Sequence, residues 1–127
     1  MTIESSEQNA YDAALSQFKA GDYKAAVVAF SEFAARYPKS GFAASAQYFL
    51  GTSHYALRDY NKAISAQMVV VKSHADSSRA PDAMLNIASC YTEMKDKANA
   101  KKTLKKLVAQ YPKSEAAETA KERLKSE

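Results

Sequence analysis

YPKSGFAASAQYFLGTSHYALRDYNKAI, residues 37–64, is the stretch that decides how this chain folds. Pro38 is expected to end one helix, because a proline ring cannot continue a helical ladder. Ser40 is a residue type that caps the start of the next helix, and the small Gly51 lies midway along that helix. A turn at Arg58-Asp59 then leads into a partner helix. The stretch therefore predicts helical hairpins joined by short turns.

The same pattern of small, apolar and helix-capping residues recurs on both sides of this stretch at a constant distance of 37 residues, which we call the repeat step. The positions that it relates are Ala14, Gly51 and Ala88; Asp22, Asp59 and Asp96; Ala26, Ala63 and Ala100; Phe33, Val70 and Leu107; Pro38, Ala75 and Pro112; and Ser40, Ser77 and Ser114. Small, apolar and capping residues each keep their places. A repeated hairpin buries its apolar face only by stacking on its neighbours. The sequence therefore predicts an all-α superhelical stack.

The repeat step divides a single predicted domain, residues 1–127, into three helix-turn-helix units. These units occupy about residues 7–43, 44–80 and 81–117, and a capping helix follows at about residues 115–126. That helix repeats only the first half of a unit, through Ala117, Ala120 and Leu124. Its remaining residues predict a polar outer face; they are Glu118, Lys121, Glu122, Arg123 and Lys125.

The middle unit departs from the pattern of its neighbours. Gln67 occupies the position at which Phe30 and Leu104 are apolar, and an alanine replaces the proline at position 75. Gly51 is expected to let its helix approach the partner helix at Ala63. The polar Gln67 marks either a contact or a tolerated substitution, and the sequence leaves both open.

Composition excludes several classes of protein. A chain with 46% hydrophobic and 25% charged residues has the composition of a soluble globular protein. The net charge of +4 comes from dispersed lysines without interleaved aromatics, which argues against nucleic-acid binding. One cysteine rules out an internal disulfide. No apolar run approaches the roughly 20 residues of a membrane span, and the N-terminal residues lack a signal-peptide pattern.

Catalysis has little support in the sequence. His54 and His74 fall on different predicted helices at unrelated repeat positions, where packing or helix-end roles are expected. Cys90 is expected to be a small buried hydrophobe. No nucleophile-base order, metal-ligand spacing or glycine-rich phosphate loop is present. We therefore predict a non-enzymatic protein without a cofactor or metal.

The repeat resembles the tetratricopeptide repeat, through Leu50-Gly51, Tyr55, Ala63 and the outer prolines, although its step exceeds the usual length of roughly 34 residues. This resemblance implies that the superhelical stack of three repeats is right-handed. Three longer motifs are more specific: Tyr-Pro-x-Ser, which occurs twice, Gln-Tyr-aromatic-Leu-Gly, and Ala-Pro-Asp-Ala-Met. With them, residues 10–124 resemble the C-terminal domain of the Tol-Pal-associated YbgF/CpoB family of periplasmic proteins.

This resemblance implies a non-enzymatic adaptor that binds TolA and helps to coordinate peptidoglycan synthesis with outer-membrane constriction during cell division. A peptidoglycan synthase is a further implied partner. Family members carry a signal peptide and an N-terminal coiled coil that forms trimers, and neither is present in this sequence. The chain is therefore expected to be an isolated, monomeric repeat domain with an added starting Met. The alternative is a scaffold domain of a BamD-type outer-membrane assembly lipoprotein, which shares the Tyr-Pro-x-Ser repeats.

In stacks of this kind the first helix of each unit lines the concave side, which gives a predicted protein-binding surface. Its residues are Tyr11, Asp12, Leu15, Phe18, Tyr48, Phe49, Thr52, Tyr55, Asp82, Asn86, Ser89 and Glu93. Tyrosine combines a large contact area with few rotatable bonds, which suits a binding groove. Tyr48 and Tyr55 would equally fit between units, and this alternative stays open.

The predicted groove is acidic, with little positive charge beyond Lys19 at one edge. The Lys, Arg and Asn clamp by which some tetratricopeptide domains hold a C-terminal carboxylate is expected to be missing. An acidic, tyrosine-lined groove favours a lysine-rich segment of TolA by charge complementarity. The lysines of residues 97–106 fall on a second-type helix and are expected to form a solvated convex face.

Overall fold

The computed structural model describes residues 3–126, a range that contains α-helices and no strand. The helices are α1 (Ile3–Lys19), α2 (Tyr23–Arg36), α3 (Ala43–Ala56), α4 (Tyr60–Ser73), α5 (Arg79–Glu93), α6 (Lys97–Gln110) and α7 (Glu115–Ser126). The predicted all-α class is confirmed. Met1, Thr2 and Glu127, which belong to the predicted domain, lie outside the described residues. None of the helices in the described range has both the length and the apolar character that a membrane crossing requires.

An aspartate precedes the second helix of every hairpin. The carboxylates of Asp22, Asp59 and Asp96 each accept a hydrogen bond from the backbone N–H three residues later, at 3.2, 3.5 and 3.1 Å. These bonds satisfy N–H groups that have no partner inside the helix. The predicted turn and cap positions of α2, α4 and α6 are therefore confirmed.

The serines expected to cap the first helices behave differently along the chain. Ser114 caps α7, since its hydroxyl accepts from the N–H of Ala117 at 3.0 Å. The hydroxyl of Ser40 instead accepts from Phe42, only two residues on, at 3.0 Å, and α3 begins at Ala43. The prediction that Ser40 caps α3 is corrected, because its hydroxyl closes the turn before the helix.

The helices form two layers. Consecutive helices pack in antiparallel hairpins, and α1, α3, α5 and α7 also contact one another in series. Within the described residues, α2, α4 and α6 do not contact one another. The odd-numbered helices therefore form the inner layer, whose free surface we call the concave face. The outer surface of α2, α4 and α6 is the convex face.

The apolar core consists of two larger clusters and a small one between them. The first combines Tyr11, Ala14, Ala26, Phe30, Phe33 and Ala46. The second combines Met84, Ala88, Leu104, Leu107, Ala116 and Ala120. The small cluster contains Val70, Ala80 and Ala83. The middle of the stack is thus held by fewer large apolar side chains than its ends.

The glycine in α3 makes room for a buried amide. A Cβ atom built on Gly51 would lie 2.5 Å from Nε2, 2.7 Å from Cδ and 2.9 Å from Cγ of Gln67. Real Cβ atoms do not approach neighbours so closely, so any larger residue here would displace Gln67. Gln67 belongs to the partner helix α4, one turn beyond Ala63, and its side chain is the tightest neighbour of Gly51.

Candidate functional site

The middle of the concave face contains an open hollow of about 200 Å³, which we call the concave hollow. Helices α3, α5 and α7 each contribute to its lining, which consists of Tyr48, Asp82, Leu85, Asn86, Ser89 and Arg123. On α5, the spacing of three and four residues between Asp82, Asn86 and Ser89 places them on one helix face. The structure therefore brings together four predicted surface residues: Tyr48, Asp82, Asn86 and Ser89.

Arg79, which the sequence reasoning did not include, lies beside this hollow. Its guanidinium group lies 5.1 Å from the ring centroid of Tyr48 and 4.8 Å from that of Phe49. Its Nε–H donates to the hydroxyl oxygen of Ser45 at 3.1 Å. Stacking on two aromatic rings together with a hydrogen bond orients the cation. A fixed positive charge therefore adjoins the concave hollow.

Arg123 adds a second positive charge from α7. Its Nη1 donates to the hydroxyl oxygen of Ser89 at 2.8 Å, across to α5. Arg123 was predicted to belong to the polar outer face of the capping helix, and this assignment is corrected, because the side chain lines the hollow. The prediction of a groove with little positive charge beyond Lys19 is also wrong.

The concave hollow also contains a negatively charged residue, Asp82. Burial raises the pKa of Asp82 above its usual range, while Arg79 opposes this shift and Glu115 adds to it. Burial and, next, the Asp82 carboxylate raise the pKa of Tyr48, so its phenol stays protonated at neutral pH. The hollow thus presents the Asp82 carboxylate, the Arg123 guanidinium group and the neutral Tyr48 phenol to a ligand, with the Arg79 guanidinium group beside it.

A buried polar network lies beneath the hollow. The Gln67 side chain is fully buried, and its Nε2 donates to the Tyr48 carbonyl at 3.0 Å and to Oδ1 of Asn86 at 3.3 Å. The hydroxyl of Thr52 donates to the same Tyr48 carbonyl at 2.9 Å, and Cys90 Sγ lies 3.8 Å from Asn86 Oδ1. The network holds Oδ1 of Asn86 toward the interior of the stack. Oε1 of Gln67 has no partner within the described part of the chain.

Several predicted surface residues belong to the core instead. Tyr11 is only 8% exposed and stacks on Phe42, with ring centroids 4.5 Å apart and an interplanar angle of 9°. Leu15, Phe18 and Phe49 are partly buried and pack on the first apolar cluster, and the rings of Phe18 and Phe49 lie 5.0 Å apart. The placement of Tyr11 on the binding surface is corrected, since the first two units need its ring for packing.

The other predicted residues lie at the ends of the concave face. Asp12 on α1 and Glu93 on α5 are exposed. Tyr55 is partly exposed and packs edge-to-face on Tyr60, with ring centroids 5.5 Å apart. Its ring therefore has a packing contact on one side.

His54, His74 and Cys90 lie in environments that indicate packing or helix-end roles. Burial lowers the pKa of His54, so its imidazole is uncharged at neutral pH. The N–H of His74 donates to the carbonyl of Val70 at 2.9 Å, at the end of α4. Burial raises the pKa of the Cys90 thiol to about 12, which keeps it protonated and unreactive. Among residues 3–126, no three His, Cys, Asp or Glu side chains form a group suited to a metal ion.

Comparisons with known proteins agree with this architecture. Sequence models of the tetratricopeptide repeat match residues 11–69 and 82–114. Comparison with curated protein sequences gives no significant match.

Solved structures share the fold at low sequence identity. The crystal structure of PcrH from Pseudomonas aeruginosa is 18% identical, with a TM-score of 0.77 over 99% of this chain and 91% of that chain. PcrH in complex with the chaperone binding region of PopB is 17% identical, with a TM-score of 0.76 over 99% and 96%. The second TPR domain of human RPAP3, in complex with the HSP70 peptide SGPTIEEVD, is 17% identical, with a TM-score of 0.73 over 93% of each chain. The present chain is built of tetratricopeptide repeats.

Proposed function

We propose that this chain is a non-enzymatic adaptor whose concave face binds a segment of TolA. In this proposal it acts in the periplasm, within the Tol-Pal system, and links peptidoglycan synthesis to outer-membrane constriction during cell division. The observation that carries the binding role is the concave hollow, in which three helices present oriented polar groups beside an aromatic ring. The choice of TolA rests on the motif resemblance to the YbgF/CpoB family.

The structural neighbours support a protein ligand in general terms. The PcrH complex holds the chaperone binding region of PopB, and the RPAP3 domain holds a peptide of HSP70. Both ligands are segments of other proteins. We therefore propose that the concave face of this chain also binds a segment of another protein. The neighbours' ligands do not assign a sequence preference.

The charges of the concave face define how a lysine-rich TolA segment would lie. Asp12 and Glu93 are the exposed carboxylates of the concave face that would receive its lysines, since they lie outside the concave hollow. Arg79 and Arg123 would repel lysines close to the hollow, so an uncharged stretch of the segment is expected there. Complementary charges mainly raise the association rate and make it sensitive to salt.

Titration of the chain with the middle segment of TolA tests the proposal. We expect saturable binding at low ionic strength that weakens as salt is added, because exposed charges are screened. Absence of binding at low salt would rule out TolA as the partner of this chain.

Two charge variants test the orientation of the segment. Glu93→Gln is expected to weaken binding, because it removes an exposed carboxylate of the concave face. Arg123→Gln is expected to leave binding unchanged or to tighten it, because it removes a repelling charge. Glu32→Gln, on the exposed surface of α2, is the matched control and should have no effect. The opposite ranking of the first two variants would contradict a lysine-rich ligand.

Tyr55→Ala tests whether the aromatic ring of Tyr55 contributes to binding. We expect weaker binding, with helicity by circular dichroism close to that of the parent chain, because Tyr55 retains a partly exposed surface. Unchanged affinity would move the binding site away from this end of the concave face.

A further inference from the structure

The convex face has an uneven distribution of charge. Helices α4 and α6 contain no aspartate or glutamate, whereas α6 alone contains five exposed lysines: Lys97, Lys101, Lys102, Lys105 and Lys106. Among the side chains of residues 6–126, no lysine of α6 lies within ion-pairing distance of a carboxylate. The one pair on these two helices joins Lys62 to the cap residue Asp59 at 3.7 Å. A surface with unopposed charges of one sign attracts ligands of the other sign.

A groove of about 220 Å³ lies between α4, α5 and α6, on the side away from the concave hollow. Its apolar floor consists of Met68, Val71, Met84, Ile87 and Tyr91, and its polar rim consists of Asn99, Lys102, Thr103 and Lys106. Lys102 and Lys106 are one helical turn apart, so both ammonium groups lie along the same rim. We call this site the lysine-rimmed groove.

The repeat provides an internal comparison for this groove. One repeat step earlier, Gln47, Leu50, His54, Lys62, Ser65, Ala66 and Val69 line an equivalent groove. Ser65 and Val69 there correspond to Lys102 and Lys106, and His54 corresponds to Tyr91. The fold therefore does not require lysines at these two positions, and the lysine that the second unit does have, Lys62, corresponds to Asn99. The third unit combines a more apolar floor with a more basic rim than the second unit does.

We propose that the lysine-rimmed groove binds an acidic amphipathic segment of a partner protein. An apolar side chain of that segment fills the floor beside Tyr91, and its carboxylates pair with Lys102 and Lys106. A plain polyanion would use the rim alone and leave the apolar floor in contact with water. On α5 the groove uses the helix face opposite to Asp82, Asn86 and Ser89, so the site is separate from the proposed TolA site in the concave hollow.

A synthetic peptide with leucines along one helical face and glutamates on both flanks is the probe. Its binding to the whole chain is measured by fluorescence anisotropy, with a scrambled peptide of the same composition, polyglutamate and phosphatidylglycerol vesicles as comparisons. We expect the amphipathic peptide to bind more tightly than the scrambled peptide and polyglutamate, and the vesicles to leave the chain in solution.

Two double variants with equal charge changes locate the site. Lys102→Glu with Lys106→Glu reverses the charge of the rim. It should weaken peptide binding about tenfold, because two exposed ion pairs become repulsive. Lys101→Glu with Lys105→Glu alters the same helix outside the groove lining and should weaken it less than about threefold, since screening limits distant exposed charges. Circular dichroism confirms that both variants keep their helices.

The floor is tested separately by Tyr91→Gln, which installs the residue that the first unit carries at this position, Gln17. We expect several-fold weaker peptide binding at unchanged stability. Equal losses in the two charge variants, equally tight binding of polyglutamate, or binding of the vesicles would each overturn the proposal in favour of a nonspecific anion or membrane surface. Failure of TolA to bind would leave these results unaffected.

Discussion

The contact between the first two hairpins and the contact between the second and third are built from different chemistry. In the first contact, Phe30 is fully buried, and its ring centroid lies 6.1 Å from that of Tyr11 and 5.7 Å from that of Phe49. Phe42 stacks on Tyr11 from the other side. We call this the aromatic seam. Its large apolar side chains need no hydrogen bonds.

One repeat step later, Phe30 and Phe42 are replaced by polar residues, and we call this contact the polar seam. Gln67 takes the place of Phe30, and Arg79 takes the place of Phe42. Gln67 is equally buried but depends on hydrogen bonds to Tyr48 and Asn86, and Arg79 covers the ring of Tyr48.

The comparison shows that apolar packing is replaced by polar contacts between the second and third hairpins. One backbone arrangement accepts either kind of contact, provided that the buried polar atoms find partners. The polar seam lies directly beneath the concave hollow, and it leaves one carbonyl oxygen, Oε1 of Gln67, unsatisfied. A contact with one unsatisfied buried oxygen therefore coincides with the candidate binding site.

The largest expected effect comes from breaking the aromatic seam. Phe30→Ala should lower the free energy of unfolding by about 3–5 kcal/mol, the usual cost of removing a buried phenylalanine ring. Urea denaturation followed by circular dichroism measures this loss. Val28→Ala on the same helix, where the side chain is 58% exposed, is the control and should change stability little. A loss below about 1 kcal/mol would show that the first hairpin does not depend on this ring.

The next effect comes from disturbing the polar seam through its glycine. Gly51→Ala should destabilise the chain by about 1–3 kcal/mol, because the added methyl group displaces Gln67 from its hydrogen bonds. Gly41→Ala, where an added Cβ meets nothing within 4 Å, is the matched control and should be nearly neutral. In a double-mutant cycle, Gln67→Ala should remove most of the Gly51→Ala penalty. Additive losses would contradict the contact between these two residues.

A smaller effect follows from making the polar seam apolar. Gln67→Leu should raise the free energy of unfolding by about 1 kcal/mol, because it removes a buried oxygen that has no partner. The Tyr48 carbonyl would keep the hydroxyl of Thr52 as its donor. Leu104 already occupies the equivalent position opposite Ala88, so leucine fits this place in the repeat. A clear loss of stability in urea denaturation would contradict this expectation. It would show that the hydrogen bonds of the Gln67 amide stabilise the chain by more than its unsatisfied oxygen destabilises it.

The smallest effect concerns the carboxylate at the mouth of the polar seam. Because the pKa of Asp82 is raised in the folded chain, its ionised form costs stability at neutral pH. Asp82→Asn should therefore be slightly more stable than the parent chain at pH 7. The advantage should shrink as the pH falls through the raised pKa and vanish below the ordinary value of 3.8. Urea midpoints at several pH values measure it, and a constant difference would contradict the shifted pKa.

Much of the fold was predictable because the repeat step fixes the turns. Asp22, Asp59 and Asp96 cap their helices as expected. The start of α3 was not predictable from Ser40 alone, because a serine that closes a turn and a serine that caps a helix have the same local sequence. The contact of Gly51 with Gln67 was not predictable, since a small residue at this repeat position fits a close contact with any side chain of the partner helix.

The candidate site was only partly predictable. Arg123 is related by the repeat step to Asn86, Phe49 and Asp12, all predicted surface positions, so extending the step into the capping helix would have identified it. Arg79 gave no such signal, because its equivalent, Phe42, is packed in the core. Tyr11 and Tyr48 are also equivalent, and only the residue that covers each ring, Phe42 or Arg79, decides which of them reaches the groove.

The central claim is that the concave face of the polar seam binds a segment of TolA. The most direct measurement is to follow the backbone amide NMR signals of the isotope-labelled chain during titration with the TolA middle segment. We predict that the largest shifts occur at Tyr48, Asn86 and Ser89 and in α7, while the signals of α2 and α6 stay in place. Shifts confined to the convex helices, or no shifts at saturating TolA, would contradict the account.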